Sequence, residues 1–114
     1  ENDIYACIRF WLIRIGLLDG LLLGPLAVRN DLRGHGLGSK LINYSLKCAK
    51  LKNFNFCFVS GEEDYYPKFG FKKIDSNKLI LPGYIDPKRL HIIFLKKQII
   101  DLMGECPWKI IPQS

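Results

Sequence analysis

A strand, a glycine-rich loop, a helix and a second strand follow one another between residues 21 and 60, and this order constrains the fold most. Residues 21–29, LLLGPLAVR, are almost all apolar, which is typical of a strand covered on both faces. Apolar or small side chains recur at helical spacing over residues 37–52, and residues 54–60, FNFCFVS, are typical of a strand. The sequence therefore predicts a βαβ unit with two parallel, neighbouring strands inside an α/β domain.

The rest of the chain predicts further elements around this unit. Residues 4–15 are rich in β-branched and aromatic side chains and predict a strand, and residues 16–20 predict the turn after it, with Asp19-Gly20 as the hairpin signal. Phe54, Phe56 and Phe58 are expected on one face of the strand at 54–60. The remaining patterns are a short helix at 63–69, strands at 71–75 and 89–96, a short helix at 97–104 and an edge strand at 107–111.

Gly24 and Pro25 interrupt the apolar strand at 21–29 near its middle. Proline has no N–H to donate to a ladder, and a glycine inside a strand marks a bulge or a close backbone approach. We therefore expect this strand to bulge or to splay away from its neighbour at this point.

The loop before the helix, NDLRGHGLGSKLI at 30–42, carries three glycines, which are Gly34, Gly36 and Gly38. A helix N-terminus presents free N–H groups and the positive end of the helix dipole, and glycines let successive amides converge on one anion. Arg33 and Lys40 would add full positive charges. On these residues alone, the loop is either a phosphate-binding loop or a tight structural turn.

Two common phosphate-loop patterns do not fit this loop. G-x-x-x-x-G-K-[ST] needs a glycine where Arg33 stands, and Gly38 is followed by Ser-Lys rather than Lys-Ser. G-x-G-x-x-G, started at Gly34, needs a glycine where Ser39 stands. A third pattern, R/Q-x-x-G-x-G/A, is met in register by Arg33, Gly36 and Gly38.

That third pattern is the pyrophosphate loop of the GNAT superfamily of N-acetyltransferases, and the chain resembles this superfamily beyond the loop. LGPLAV, RGHGLGSKLI, YYPKFGF and PGYIDPKRL occur in its order and spacing, and together look most like its bacterial YhbS-like branch. The resemblance covers residues 7–95. It implies a GNAT-type acyl-CoA N-acyltransferase fold of the α/β (α+β) class, with splayed parallel strands in a mixed central sheet flanked by helices. It also implies one domain over residues 1–114, without the strand and two helices that begin complete members.

The resemblance implies that acetyl-CoA lies between the parallel strands at 21–29 and 54–60. Its pantetheine arm would pair with the backbone of the first strand, and its pyrophosphate would bind amides of the glycine loop. The implied cofactor-binding residues are Leu26, Ala27, Val28, Arg33, Gly34, His35, Gly36, Leu37, Gly38 and Ser39, with His35 and Leu37 contributing only their backbone.

The implied reaction is direct attack of a primary amine on the thioester, with a backbone N–H near Val28 polarising the thioester carbonyl. The tyrosine of the pattern Y-x-x-x-G-F is Tyr66, which would donate a hydrogen bond to the departing thiolate, since a phenol is protonated at neutral pH. The alternative for Tyr66 is a packed aromatic side chain, in which case Tyr65 is the next candidate.

No general base is evident from the sequence. Glu62, Glu63 and Asp64 follow the second parallel strand and could take the proton of the amine, directly or through water. The resemblance fixes no base at these positions. We expect His35 to be an exposed loop residue and His91, inside a strand, to be structural.

Charge and cysteine content limit the classes of binding partner and the cellular compartment that we expect for the chain. The net charge of +6 favours an anionic partner, but the basic residues are scattered rather than clustered as in a nucleic-acid arm. The four cysteines form no C-x-x-C pair, so we expect reduced thiols, no metal and a cytoplasmic protein. No apolar run approaches the roughly 20 residues that span a bilayer.

Three functions remain open at this point. The first is an acetyl-CoA-dependent N-acetyltransferase, whose partners would be acetyl-CoA or CoA and a small-molecule or protein amine, with neither nucleic acid nor membrane, and with a homodimer as an allowed assembly. The second is a non-catalytic acyl-CoA-binding or regulatory module of the same fold. The third is a basic nucleic-acid-binding domain.

Overall fold

The computed structural model of the chain describes residues 6–28, 34, 36–61, 63–82, 89–97, 99, 104 and 106–113. The described strands form one seven-stranded mixed sheet in the order β4-β6-β3-β2-β1-β7-β5. The strands are β1 (Ala6–Ile15), β2 (Leu18–Val28), β3 (Phe56–Ser60), β4 (Lys72–Lys73), β5 (Leu79–Ile80), β6 (Leu90–Phe94) and β7 (Trp108–Pro112). Helix α1 spans Leu37–Leu51, and 3₁₀ turns span Tyr66–Phe69 and Ser76–Lys78.

The first two strands form a hairpin whose turn is shorter than the sequence predicts. Ile15 pairs with Leu18, so the turn consists of Gly16 and Leu17. The turn therefore lies within the predicted range of 16–20, but Asp19-Gly20 is not its signal, because Asp19 already lies in β2 and its carboxylate pairs across the hairpin with the Arg14 guanidinium at 2.8 Å. Two turn signals stand close together here, and the glycine nearer to β1 closes the hairpin.

The predicted βαβ unit is confirmed. Strands β2 and β3 are parallel neighbours, and α1 crosses between them. The helix buries Ile42, Leu46 and Ala49, which lie on one side of it at helical spacing. It ends at Leu51, and Asn53 follows with a left-handed φ of 64°, a conformation that asparagine tolerates after a helix.

Apolar side chains fill both faces of the sheet. Alternate residues of β2 and β3 enter two clusters, so that Leu22 and Phe58 lie on one face and Leu23 and Val59 on the other, which also holds α1. The prediction that β2 is covered on both faces is therefore confirmed. Phe54 does not share a face with Phe56 and Phe58, because it precedes β3 and packs against the cluster under α1.

Several predicted elements are shorter or placed differently. The helix at 63–69 is a 3₁₀ turn over Tyr66–Phe69, and the strand at 71–75 is only Lys72–Lys73. Strand β7 is not an edge strand, because it lies between β1 and β5. The predicted helix at 97–104 lies largely outside the described residues. Among the described helices, none combines the length and apolar character required to cross a membrane.

Candidate functional site

Strand β2 of the βαβ unit extends well past its parallel neighbour β3, which ends at Ser60. Their pairing consists of Gly20 to Leu23 opposite Phe56 to Val59. Strand β2 continues to Val28, but its later residues pair with β1 on the other side, with Leu26 opposite Ile8 and Val28 opposite Ala6. The second half of β2 therefore borders a gap where β3 stood beside the first half.

A bulge in β2 lies at the point where the gap begins. Between the pairs Phe10–Leu23 and Ile8–Leu26, two residues of β2, Gly24 and Pro25, stand opposite the single residue Arg9 of β1. An extra residue bends a strand and increases its twist, so β2 changes direction where its pairing with β3 ends. The interruption that the sequence predicts at Gly24-Pro25 is confirmed.

Within the part of the chain that the structure describes, no strand pairs with the β3 side of β2 beyond Leu23. Along a strand, N–H and C=O groups point alternately to the two sides, so half of those between Gly24 and Val28 face away from β1. An extended ligand with amide groups can pair with such an edge as an added strand does. This is the place where the sequence predicts that Leu26, Ala27 and Val28 bind the pantetheine arm.

Helix α1 begins at the glycine loop, near the end of β2 in the sequence. Gly36 is its N-cap in a left-handed conformation (φ 77°, ψ 11°), which glycine adopts at little cost, and the first helical bond joins the Lys40 N–H to the Gly36 carbonyl at 3.0 Å. No side chain caps this end, and the first turn contains no acidic residue. The amides of Leu37, Gly38 and Ser39 therefore lack both an intrahelical acceptor and a compensating negative charge.

The structure describes part of the predicted loop. Gly34 and Gly36 are exposed, whereas Leu37, Gly38 and Ser39 are half-buried in the first turn of α1. Arg33 and His35 lie outside the described residues.

Tyr66 lies beside the end of β3, past the last pair that joins the parallel strands. Its side chain is 5% exposed, and its ring makes edge contacts with Tyr65 and Phe71 at centroid distances of 5.1 and 5.8 Å. A Cβ built on Gly61, the residue after β3, would lie 2.2 Å from the Tyr66 Cε2 and 3.1 Å from its hydroxyl oxygen. The phenol therefore sits directly against the backbone at the mouth of the gap.

The pattern Y-x-x-x-G-F has a structural explanation in this chain. Pro67 occupies the first turn of the 3₁₀ segment, where a missing N–H costs little. Gly70 ends the segment with a left-handed φ of 101°, and its N–H bonds to the Pro67 carbonyl at 3.0 Å. The chain thereby turns back and buries Phe71 against Tyr66.

The acidic residues after β3 differ in their surroundings. Glu63 is exposed and forms an ion pair with Lys73, whose ammonium group holds the pKa of the Glu63 carboxyl below its ordinary value. A carboxylate stabilised in its charged form is a weaker base. Asp64 is exposed, and Glu62 lies outside the described residues.

Comparison with known proteins identifies the chain. The sequence profile of the acetyltransferase (GNAT) domain matches residues 1–73, which include the bulged strand, the glycine loop, α1 and the Tyr66 segment. The chain belongs to the GNAT acetyltransferase family. The family predicted from the sequence motifs is therefore confirmed.

Individual GNAT proteins resemble the chain over different lengths. An uncharacterised N-acetyltransferase of Escherichia coli (strain K12), YjhQ, is 35% identical over 66 residues, which cover 58% of this chain and 34% of that protein. The structure of E. coli YhbS in complex with CoA superposes with a TM-score of 0.76 at 18% identity, covering 96% of this chain and 61% of that one. A GNAT acetyltransferase of Brucella melitensis in complex with acetyl-CoA gives 0.67 at 21% identity, covering 100% and 62%.

These comparisons confirm the GNAT fold, and the likeness covers only part of each relative's length. The chain spans about a third of the length of its curated relative and about three fifths of the two structural neighbours. The mixed sheet, the separated parallel strands and the flanking helix agree with the fold that the resemblance implies.

A separate apolar groove lies on the α1 side of this GNAT sheet. It encloses about 620 Å³ between α1 and the strands β1 and β2. Neither Tyr66 nor the first turn of α1 lines it; its lining consists of Ile8, Phe10, Leu12, Leu21, Leu23, Leu41, Tyr44, Ser45, Cys48, Ala49, Lys52 and Phe54. The groove is therefore distinct from the gap between β2 and β3.

The cysteines of the described region are thiols in different environments. Cys57 is buried in β3, and burial raises the pKa of its thiol far above the ordinary value. Cys48 is half-buried and Cys106 exposed. Across the described part of the chain, no three His, Cys, Asp or Glu side chains cluster in a way that could hold a metal ion.

Two groups near Tyr66 were missed by reasoning from the sequence. The Arg89 carbonyl accepts a hydrogen bond from the Gly61 N–H at 3.2 Å, and the His91 ring lies with its centroid 5.9 Å from that of Tyr66. A carbonyl has no signature in a sequence. The alternation of β6, with Leu90 and Ile92 in the cluster away from α1, could have placed His91 on the same face as Tyr66.

Proposed function

We propose that this GNAT chain binds acetyl-CoA in the gap between β2 and β3 and transfers the acetyl group to a primary amine. The observation that carries the proposal is the early end of the parallel pairing at Leu23 and Val59, while β2 continues to Val28. YhbS of E. coli and the Brucella melitensis protein, which share this fold, have structures with CoA and acetyl-CoA.

The pantetheine arm would complete the ladder along the backbone of Leu26, Ala27 and Val28. The pyrophosphate would accept hydrogen bonds from the amides at the start of α1, where nothing in the helix neutralises the dipole. Arg33 and the backbone of Gly34 and His35 would complete the anion site. Together with Gly36, Leu37, Gly38 and Ser39, they form the proposed cofactor-binding set.

The proposed chemistry is a single displacement. The amine nitrogen attacks the thioester carbonyl carbon, the C–N bond forms, the C–S bond breaks and the amine loses a proton. A backbone N–H near Val28 would stabilise the charge on the carbonyl oxygen. Tyr66, held at the end of β3, would donate its hydroxyl proton to the departing sulfur, water would take up the proton that the amine loses, and the phenol would regain a proton from water.

Calorimetry and turnover test the proposal in two steps. Titration with acetyl-CoA and with CoA should show binding to the chain, and a panel of primary amines should then release the CoA thiol at a measurable rate. Absence of binding by both ligands would refute the proposal. Binding without turnover of any amine would instead support a non-catalytic acyl-CoA-binding module.

Tyr66→Phe isolates the role of the phenol. It removes only the hydroxyl group, so it should lower kcat by about a hundredfold or more while the affinity for acetyl-CoA stays unchanged. Tyr65→Phe is the matched control, because Tyr65 is adjacent and packs on Tyr66 but is only half-buried. If Tyr65→Phe lowers kcat and Tyr66→Phe does not, Tyr65 is the acid.

A further inference from the structure

A closed set of contacts connects His91 to Tyr66. The Arg89 carbonyl accepts two hydrogen bonds, one from His91 Nδ1 at 2.8 Å and one from the Gly61 N–H at 3.2 Å. The Gly61 backbone in turn lies against the Tyr66 phenol, and the Tyr66 and His91 rings lie 5.9 Å apart. These four residues therefore fix one another's positions at the mouth of the gap.

The Arg89 carbonyl determines the tautomer of His91. A carbonyl oxygen can only accept, so Nδ1 must carry the proton, and in the neutral ring Nε2 is then a bare acceptor. Nε2 is buried and has no hydrogen-bond partner among the described residues. A buried polar atom without a partner destabilises the folded protein, and a phenylalanine at this position would avoid that cost.

Arg89 presents this carbonyl from an unusual backbone conformation. Arg89 adopts a left-handed φ of 58°, which is unfavourable for a residue with a side chain. The conformation places its carbonyl where both Gly61 and His91 reach it. His91 is fully buried directly opposite Val59 of β3. Its Nδ1–H therefore bonds to the carbonyl that also binds Gly61, the residue against which Tyr66 packs.

We propose that His91 is a positioning residue for Tyr66. Its Nδ1–H fixes the Arg89 carbonyl, this carbonyl fixes Gly61, and the His91 ring and the Gly61 backbone together hold the phenol at the end of β3. The inference rests on the proposed function, because it takes Tyr66 as the proton donor. His91 itself exchanges no proton with the substrates.

Three variants separate the parts of the His91 side chain. His91→Asn keeps an N–H donor at about the distance of Nδ1 from the main chain but removes the ring. His91→Phe keeps a ring without a donor. His91→Gln carries its amide farther out and lacks the donor near the main chain.

Kinetics of these variants test the positioning. His91→Phe and His91→Gln should lower kcat by about tenfold to a hundredfold with an unchanged KM for acetyl-CoA, as expected for a misplaced catalytic group. His91→Asn should recover most of that loss. In a Tyr66→Phe background, all three variants should leave kcat within about twofold of the Tyr66→Phe value, because the group that they misplace is gone.

NMR spectroscopy of the tyrosine rings tests the positioning of Tyr66 without measuring turnover. The chain has five tyrosines, so selective ¹³C labelling of their rings gives few signals, and loss of a signal in Tyr66→Phe assigns Tyr66. The Tyr66 signal should shift in His91→Phe and His91→Gln and return toward its original position in His91→Asn. Thermal denaturation establishes that each variant is folded.

The outcomes distinguish the two proposals. Wild-type kcat together with an unshifted Tyr66 signal in His91→Phe would overturn the role of His91, and so would an equal loss of kcat in the Tyr66→Phe background. If the wild-type chain turns over no amine, the proposed function fails, and the ring signals alone decide whether His91 positions Tyr66. If His91→Phe does not fold, the contrast between His91→Asn and His91→Gln decides.

Discussion

Gly61→Ala should destabilise the chain through a single contact. The added methyl carbon would lie 2.2 Å from Tyr66 Cε2 and 3.0 Å from Cζ. Non-bonded carbons sit about 3.5–4.0 Å apart, so the ring would have to retreat by about 1.3 Å. It has no space to do so, because Tyr66 is 5% exposed and packs against Phe71 and His91.

The expected magnitude follows from two opposing effects. Overpacking of a buried site costs about 1–3 kcal/mol. Gly61 does not adopt a left-handed φ, so alanine adds no backbone strain, and it reduces the entropy of the unfolded chain, which stabilises by about 0.4–1 kcal/mol. We therefore expect a net decrease of about 1–2 kcal/mol in the free energy of unfolding.

Urea denaturation followed by tryptophan fluorescence measures this loss, and a double-mutant cycle identifies its source. In a Tyr66→Ala background the ring is absent, so Gly61→Ala should cost nothing or should stabilise by up to about 1 kcal/mol, which gives a coupling energy of about 1–3 kcal/mol. An equal loss in both backgrounds would refute the contact as the cause. A Gly61→Ala chain as stable as wild type would refute the packing argument altogether.

Three further predictions concern other parts of the molecule. Gly36→Val places a β-branched residue at φ 77°, so it should unfold the first turn of α1 and abolish acetyl-CoA binding in calorimetry; unchanged affinity would exclude the start of α1 as the anion site. Lys73→Gln should raise the pKa of the Glu63 carboxyl toward its ordinary value, measured by carboxyl ¹³C titration, because the ammonium group that lowers it is gone. The lowered pKa of Glu63 stabilises the folded chain above the ordinary carboxyl pKa, and this stabilisation is lost as the pH falls through the pKa of Glu63 in the folded chain. Lys73→Gln should therefore make the free energy of unfolding depend less on pH in that range. Native-state alkylation followed by mass spectrometry should modify the exposed Cys106 rapidly and leave Cys57 unmodified, because burial raises the pKa of the Cys57 thiol; fast labelling of Cys57 would contradict its burial.

The βαβ unit could be predicted because local patterns and the global fold agree there. Strand β2 is apolar on both faces, α1 carries Ile42, Leu46 and Ala49 at helical spacing, and a crossover connection requires parallel strands. Gly24-Pro25 marked the bulge because proline cannot donate to a ladder. Each of these inferences depends on residues close together in sequence.

The wrong predictions concern features that are decided by contacts between strands rather than by a local pattern. The predicted hairpin turn at 16–20 is too long because this range contains two turn signals, Gly16 and Asp19-Gly20, and the pairing of Ile15 with Leu18 decides between them. Strand β7 could not be placed between β1 and β5, because its neighbours are distant in sequence.

At the candidate site, the sequence motif located Tyr66 but not its supports. The pattern Y-x-x-x-G-F reflects local packing of Tyr66, Gly70 and Phe71, so it can be recognised in a sequence. The Arg89 carbonyl and the bare Nε2 of His91 depend on which strands become neighbours. The partners of a backbone carbonyl or a buried ring nitrogen can therefore be identified only from the three-dimensional structure.

The short parallel pairing joins two groups of strands within the described sheet. Strands β3, β6 and β4 are joined to β2, β1, β7 and β5 within the sheet by the pairing of Gly20 to Leu23 with Phe56 to Val59. At one end of this seam, the Asp19 carbonyl accepts bonds from both the Asn55 N–H and its side-chain amide, at 2.9 and 3.0 Å. Local opening along the seam would therefore begin at the end of β3, where amide hydrogens should exchange first. A ligand lying in the gap would join the two groups there and make them unfold as one.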